Sequence, residues 1–325
     1  MFRARSANLG TAGFVVALVA VGGLALSACG AAHPGAAATV GDDRITVAEL
    51  QALTDRTLAD PTFAASDSGS DVAALQRQEL TNLISHHLLD IAARDKGVTV
   101  TEGEVGNTIS TVLKQEGSQE ALDKDAAAHG IAPDDIHDYF YYATLQSKLA
   151  PKIETPVVHV AHILVKDEQT ANKILDEVKA DPSSFADIAK SQSIDTGSAA
   201  NGGDLGTAPS AQFVTKFADA VDAAKVGSYF VVQTQFGWHV VHLISRTTET
   251  LDQINTANQQ NGNQQAQQIQ AAVFARYLDS VAKKAGGIAV NPRYGAWDSD
   301  QGGVVAANGK LSSAAPVGPS AAPAS

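Results

Sequence analysis

Val157-Val158-His159-Val160-Ala161-His162-Ile163-Leu164-Val165 is a nine-residue run, apolar and β-branched apart from two histidines. It is too short for an ordinary helix and too uniformly apolar for a strand with one wet face, so it reads as a strand buried on both sides. The residues after it switch period. Over Glu168 to Ala180, Ala171, Ile174, Leu175 and Val178 recur on one helical face. Pro182-Ser183 opens a second helix carrying Phe185, Ile188 and Ala189. A glycine-rich loop follows from Gly197 to Gly206, then a short helix carrying Phe213 and Phe217. Strands over Tyr229–Gln233 and Trp238–Ser245 flank a turn at Gln235-Phe236-Gly237. One strand, intervening helices and a closing hairpin predict an α+β module over residues 156–246.

Outward from that module the pattern is helical. Thr46 with Glu49, and Thr101 with Glu104, have the spacing of capping boxes. Leu80, Leu83, Ile84, Leu88 and Ile91 mark a helix from about Asp71 to Lys96, stopped by Gly97. Pro133 opens another through Ile136, Tyr139, Phe140 and Leu145. A proline-bounded break at Pro151–Pro156 separates this segment, residues 39–155, from the module. Residues 247–298 hold a further helix at about Asn263–Ala285, whose Phe274, Leu278 and Val281 are expected to cover the earlier helices. His86, His87, His129 and His137 read as surface or helix-face side chains, because no ligand spacing surrounds them.

Both ends are biased. Arg3 and Arg5 precede an uncharged apolar run from Ala12 to Leu26, too short for a comfortable membrane span and suited to a secretory h-region. Leu26-Ser27-Ala28-Cys29 then resembles a bacterial lipobox, which makes residues 1–28 a signal peptide and Cys29 a lipidated N-terminus. Residues 29–38 are expected to be a flexible linker, and 299–325 a disordered tail of Gly, Ala, Ser and Pro.

Several chemistries are disfavoured at once. Cys29 is the sole cysteine, so the body has no disulfide, thiol nucleophile or Cys-based zinc site. A net charge of −12 argues against nucleic acid as a partner. His159 and His162, like His239 and His242, are three apart and point to opposite faces of a regular strand, so neither pair shares a metal. No charge-relay constellation or phosphate-cradling loop stands out.

Four segments in order carry a resemblance: Ala161-His162-Ile163-Leu164-Val165, Phe185-Ala186-Asp187-Ile188-Ala189, Gly202-Gly203-Asp204-Leu205-Gly206, and Thr234-Gln235-Phe236-Gly237-Trp238-His239-Val240-Val241. Together they resemble the motif set of the parvulin family of peptidyl-prolyl cis-trans isomerases. The flanking helices more loosely resemble the chaperone part of PrsA/SurA-type foldases. The resemblance implies a small antiparallel sheet with surrounding helices, inserted in or attached to an all-α chaperone domain. It implies a peptidyl-prolyl isomerase and chaperone needing no cofactor or metal, held at the extracytoplasmic face of the cell membrane by Cys29. Its partners would be unfolded or partly folded exported polypeptides. By position, His162 and His239 match the paired histidines beneath the twisting amide. Leu205, Gln212, Phe213, Phe217 and Phe236 match the substrate-binding positions, and Asp195 or Thr196 falls where the family places a Cys or Asp.

Other roles stand beside these. The histidines can be hydrogen-bonded core residues, Phe213 and Phe217 plain helix core, and Asp195 the cap of a turn through its own backbone. A catalytically inactive holdase of the same fold is the competing function. Phe236 occupies a position that is Ser in some phosphate-directed parvulins, and Lys166 is followed by Asp167 and Glu168 instead of a cation cluster. Recognition of phosphoserine is therefore not expected.

Overall fold

The computed structural model describes residues 35–258, 263–299 and 301–307. The proposed signal peptide, Cys29 and most of the proposed tail lie outside them. In chain order come β1 (Ala36–Val40), β2 (Asp43–Thr46), α1 (Val47–Leu58), α2 (Pro61–Ala64), α3 (Asp67–Ser70), α4 (Val72–Lys96), α5 (Glu102–Glu116), α6 (Gln119–Ala128) and α7 (Ile136–Leu149). Then follow β3 (Glu154–Val165), α8 (Glu168–Ala180), α9 (Phe185–Gln192), α10 (Thr196–Ala199), β4 (Asp204–Pro209), α11 (Thr215–Ala223), β5 (Tyr229–Thr234) and β6 (Gly237–Thr250). The chain continues through α12 (Leu251–Asn258), α13 (Asn263–Ala285), β7 (Ile288–Val290), β8 (Ala296–Asp298) and β9 (Gly303–Val305).

The helix boundaries follow their caps. Thr46 and Thr101 both close capping boxes, each hydroxyl accepting from the backbone of a glutamate that reaches back to the cap N–H. Gly97 ends α4 in the left-handed conformation, at φ 61°, which glycine adopts without a Cβ clash.

β3 is the central strand of an antiparallel sheet of order β4-β3-β6-β5. Its two faces bury different sets. Ala161, Ile163 and Val165 pack with Val240 against Ile174, Val178, Phe185 and Ile188 of α8 and α9. Val158 and Val160 pack with Val241 and Leu243 against Phe217 and Val221 of α11. Burial on both faces is why the founding run shows no polar alternation.

Among the remaining elements, α5, α6 and α7 close a small cluster of Val105, Leu122, Ala126, Ile136 and Phe140, and a larger core joins the first and last segments. Leu50, Leu80, Ile84, Leu88 and Leu149 from the first segment pack with Leu251, Ile254, Ile269, Val273, Phe274 and Val281 from the last. β1 pairs with β2 on one side and β7 on the other, joining the two segments. The Leu251 N–H donates to the Ile153 carbonyl at 2.8 Å, so the chain leaves and re-enters this core at one point, with β3 to β6 between.

Three expectations change and a fourth is narrowed. The linker expected over 29–38 overlaps β1, whose Ala36, Ala37 and Ala38 are buried, because a run of small residues fits between β2 and β7. The tail expected from residue 299 begins later, since Val304 and Val305 of β9 are buried and the Val304 N–H donates to Thr81 Oγ1 at 2.9 Å. Phe213 does not share a helix with Phe217. It is extended after a 3-10 turn (Ser210–Gln212), ahead of α11. Of the two roles expected for His86, the structure selects the helix-face one: the half-buried ring stacks on Tyr142 at 3.6 Å, and burial holds its pKa down to about 4.

Candidate active site

His162 on β3 and His239 on β6 meet on the α11 face of the sheet. The register places His162 opposite Val241, which makes His239 its diagonal neighbour two residues along the same face. The two rings stack with centroids 5.1 Å apart, and their Nδ1 atoms are 2.9 Å apart. They are 6% and 4% exposed, respectively.

The chain after α9 runs beside the end of β3. Ile194 N–H donates to the Leu164 carbonyl and Leu164 N–H donates to Ser193 Oγ, at 2.8 and 3.1 Å. This lays Asp195 against His162, with Oδ2 2.7 Å from Nε2. On the other side, His162 N–H donates to the Gly203 carbonyl at 2.8 Å. A Cβ on Gly203 would lie 2.2 Å from the His162 carbonyl oxygen, and its φ is +82°. The Gly-Gly-Asp-Leu-Gly segment thus needs glycine here so that the loop can close onto the histidine strand.

The hydrogen bonds form a directed chain. An ionised Asp195 only accepts, so His162 Nε2 carries a proton. One proton lies between the two Nδ1 atoms. With neutral rings, His162 Nδ1 accepts it from His239. His239 Nε2 then accepts from the Thr234 hydroxyl at 2.8 Å, and Thr234 Oγ1 accepts from the Phe236 N–H at 3.1 Å. At the other end Ser198 Oγ–H donates to Asp195 Oδ2 at 2.6 Å, and Gly197 N–H donates to Oδ1 at 3.1 Å. The Ser198 hydroxyl, with smaller help from His162 and the Gly197 amide, brings the Asp195 carboxyl down to about 2. Burial, reinforced by His162, pushes His239 down to about 4.

An apolar wall borders this network. The Phe217 ring lies 5.3 Å from His239 and 6.1 Å from His162, and Phe213 lies 5.0 Å from Phe217. Leu205 packs on the same cluster. The structure therefore brings together His162, Asp195, His239, Leu205, Phe213 and Phe217. It leaves Thr196 exposed at the start of α10, with no hydrogen bond to either imidazole. Gln212 is exposed, and the Phe236 side chain is 60% exposed at the hairpin turn. Two participants were absent from the sequence reading: Ser198, three residues after Asp195, and Thr234, at the start of the last motif. The Asp195-to-Ser198 spacing, typical of a helix cap, was the available signal for the first.

His239 gives a pH signature. Its folded pKa of about 4 lies below the ordinary 6.5, so between these values the unfolded chain binds the extra proton. Stability falls as pH drops through that window, by up to about 3 kcal/mol for a shift of this size. Wild type and His239→Gln should therefore converge in denaturant midpoint between about pH 7 and pH 4. An unchanged gap means that the imidazole is not held neutral by the fold.

Family models match two stretches of the chain. Residues 147–247 match the family model of the PPIC-type PPIASE domain, and residues 1–149 match that of a SurA-like N-terminal domain. A Bordetella bronchiseptica protein named "Probable parvulin-type peptidyl-prolyl cis-trans isomerase" is 48% identical over 104 residues, 31% of this chain and 39% of that protein. The chain thus spans about two fifths of the length of that relative. Foldase protein PrsA 1 of Bacillus cereus is 30% identical over 230 residues, 70% of this chain and 74% of that protein. A crystal structure of the peptidylprolyl isomerase PrsA from Bacillus anthracis aligns with 63% of this chain and 97% of its own, at 21% identity and a TM-score of 0.39.

Proposed function

We propose, from the premise that this chain belongs to the PrsA foldase family, that it isomerises X-Pro bonds in exported polypeptides and shields them as a chaperone. The observation that carries this reading is the Asp195-His162-His239-Thr234 chain lying beneath the Phe213/Phe217 wall.

Rotation about an X-Pro amide breaks no bond. Its barrier of roughly 18–20 kcal/mol is the loss of resonance, and the uncatalysed change takes tens to hundreds of seconds. A catalyst needs only to bind the twisted amide better than the planar one. In this site Leu205, Phe213 and Phe217 take the prolyl ring and exclude water. Resonance in the planar amide places negative charge on the carbonyl oxygen, and twisting withdraws it. The Asp195 carboxylate, beside that oxygen, disfavours the planar forms and is relieved in the twisted one. His162 holds Asp195 in place, and His239 and Thr234 hold His162. No residue is required as nucleophile or proton donor.

Cys29 is proposed to carry a lipid that anchors the protein at the outer face of the cytoplasmic membrane. Among the described residues no helix is long and apolar enough to cross a membrane. Mass spectrometry of the mature N-terminus should find an acylated Cys29, and an unmodified one removes the anchor.

An active isomerase differs from a holdase in refolding. A protein whose slow phase is limited by proline should refold several-fold faster at substoichiometric amounts of this protein. The acceleration should vanish when residues 154–250 are replaced by a short glycine linker, which the adjacency of Ile153 and Leu251 permits. Equal performance of both forms would favour the holdase.

A further inference from the structure

A cavity of about 500 Å3 lies in the helical part, apart from His162 and His239. Leu53 of α1, Phe63 of α2, Leu75 and Leu89 of α4, and Phe274 and Leu278 of α13 give it apolar walls. Glu79 of α4 also lines it, yet is only 6% exposed. Its one hydrogen-bond partner among the described residues is Thr57, whose hydroxyl donates to Oε1 at 2.9 Å. The nearby cation, Arg56, is committed elsewhere: its Nε and Nη2 grip Asp135 at 2.7–3.1 Å. A carboxyl buried without a cation is held in its neutral form until a positive partner arrives.

We propose that this cavity receives a basic side chain flanked by apolar residues from an extended client polypeptide, with Glu79 as the counter-ion at its base. The occupant follows from charge and shape. Of the other lining charges, Arg56 and Asp135 pair with each other and Glu49 and Asp138 are acidic, so the cavity repels an acidic segment. Its apolar walls fit the stem of a lysine and its apolar neighbours. That the occupant is a client chain rests on the foldase reading above, whereas the recognition chemistry does not.

The site has its own signature. Burial raises the Glu79 carboxyl to about 7, with Asp135 adding to the rise and Thr57 and Arg56 opposing it. The other titratable groups around the cavity are Glu49 on α1, His86 on α4, His129 at the end of α6, and Asp138, Tyr139 and Tyr142 on α7. A bound cation favours the ionised carboxyl, so it expels a proton where Glu79 was neutral.

The test is calorimetry of the full chain with acetyl-Leu-Lys-Leu-amide and its norleucine analogue, neither containing proline, in phosphate and in ACES. At about pH 6.5 the lysine peptide should release more than half a proton per peptide bound, and at about pH 8.5 almost none. Its affinity should rise about tenfold between pH 5.5 and pH 8, while that of the norleucine peptide does not. Glu79→Gln, which can keep the Thr57 hydrogen bond, should abolish both effects without lowering the melting temperature, because it removes a buried charge. Equal binding of the two peptides, or proton release that survives Glu79→Gln, overturns the proposal. Binding that appears only after residues 308–325 are removed overturns it too, because the occupant would then be the chain's own tail. Each outcome is independent of isomerase activity.

Discussion

Asp195→Ala is expected to lower kcat/KM on a short X-Pro peptide at least tenfold, a loss of about 1.4 kcal/mol of transition-state stabilisation. Two roles meet in this side chain. Oδ2 takes the His162 and Ser198 hydrogen bonds, while Oδ1 takes the Gly197 N–H and so caps α10. The turn cap is present in the geometry, and the catalytic role is the one proposed above. Alanine removes both, and the lost cap alone should cost about 1 kcal/mol of stability. Asp195→Asn separates them. An asparagine can keep the cap through its one carbonyl oxygen; its amide then donates to His162 Nε2, which accepts by changing tautomer, and it carries no charge. Its melting temperature should stay near wild type while kcat/KM still falls severalfold, because the missing term is the field on the amide oxygen. Thr196→Ala, on an exposed side chain outside the network, should cost much less than either. A larger loss at Thr196, or full activity in the asparagine variant, would remove the Asp195 charge from the mechanism.

Residues 35–153, produced without the last segment, should show no cooperative unfolding transition. The core they share with α12 and α13 buries Leu251, Ile254, Ile269, Phe274 and Val281. At roughly 1.5–3 kcal/mol for each large apolar side chain, five such residues amount to about 8–15 kcal/mol. That matches or exceeds the roughly 5–15 kcal/mol by which domains are stable at all. β1 would also lose β7 and become an unpaired edge. Joining residues 35–153 to 251–307 through a short linker should restore the transition, and the module of residues 154–250 should melt cooperatively by itself. Cooperative melting of residues 35–153 alone, at the midpoint of the joined form, contradicts a shared core.

Much of this architecture was legible where the pattern was periodic and local. β3 and α8 announce themselves through continuous apolar residues and a 3.6-residue stripe, and Thr46, Gly97 and Thr101 mark helix ends by their own side-chain chemistry. Ala36–Val40 and Gly303–Val305 are different. They are strands only because partners distant in sequence pair or pack with them, and small residues carry no period of their own. His162 and His239 were recoverable from their motifs, and a carboxylate beside two imidazoles favoured Asp195, although counting back from Gly203 lands on Thr196. The placement depends on how the loop runs beside Leu164, which residue counting cannot supply. Ser198 and Thr234 escaped for the same reason: a hydroxyl becomes part of a network through position, not spacing. Nothing in the local sequence marks Glu79, and only the packing of α1 and α13 over α4 makes it a buried carboxylate.

The central claim is that residues 154–250 form a working isomerase through the Asp195-His162-His239 network. NMR exchange spectroscopy on an unphosphorylated Ala-Pro peptide with catalytic amounts of the protein tests it most directly. The cis and trans signals should exchange within about a second, against tens to hundreds of seconds unaided, and Asp195→Ala should slow that exchange at least tenfold. A folded protein that leaves the exchange at its uncatalysed rate, or an Asp195→Ala variant that exchanges the peptide as fast as wild type, would contradict the account.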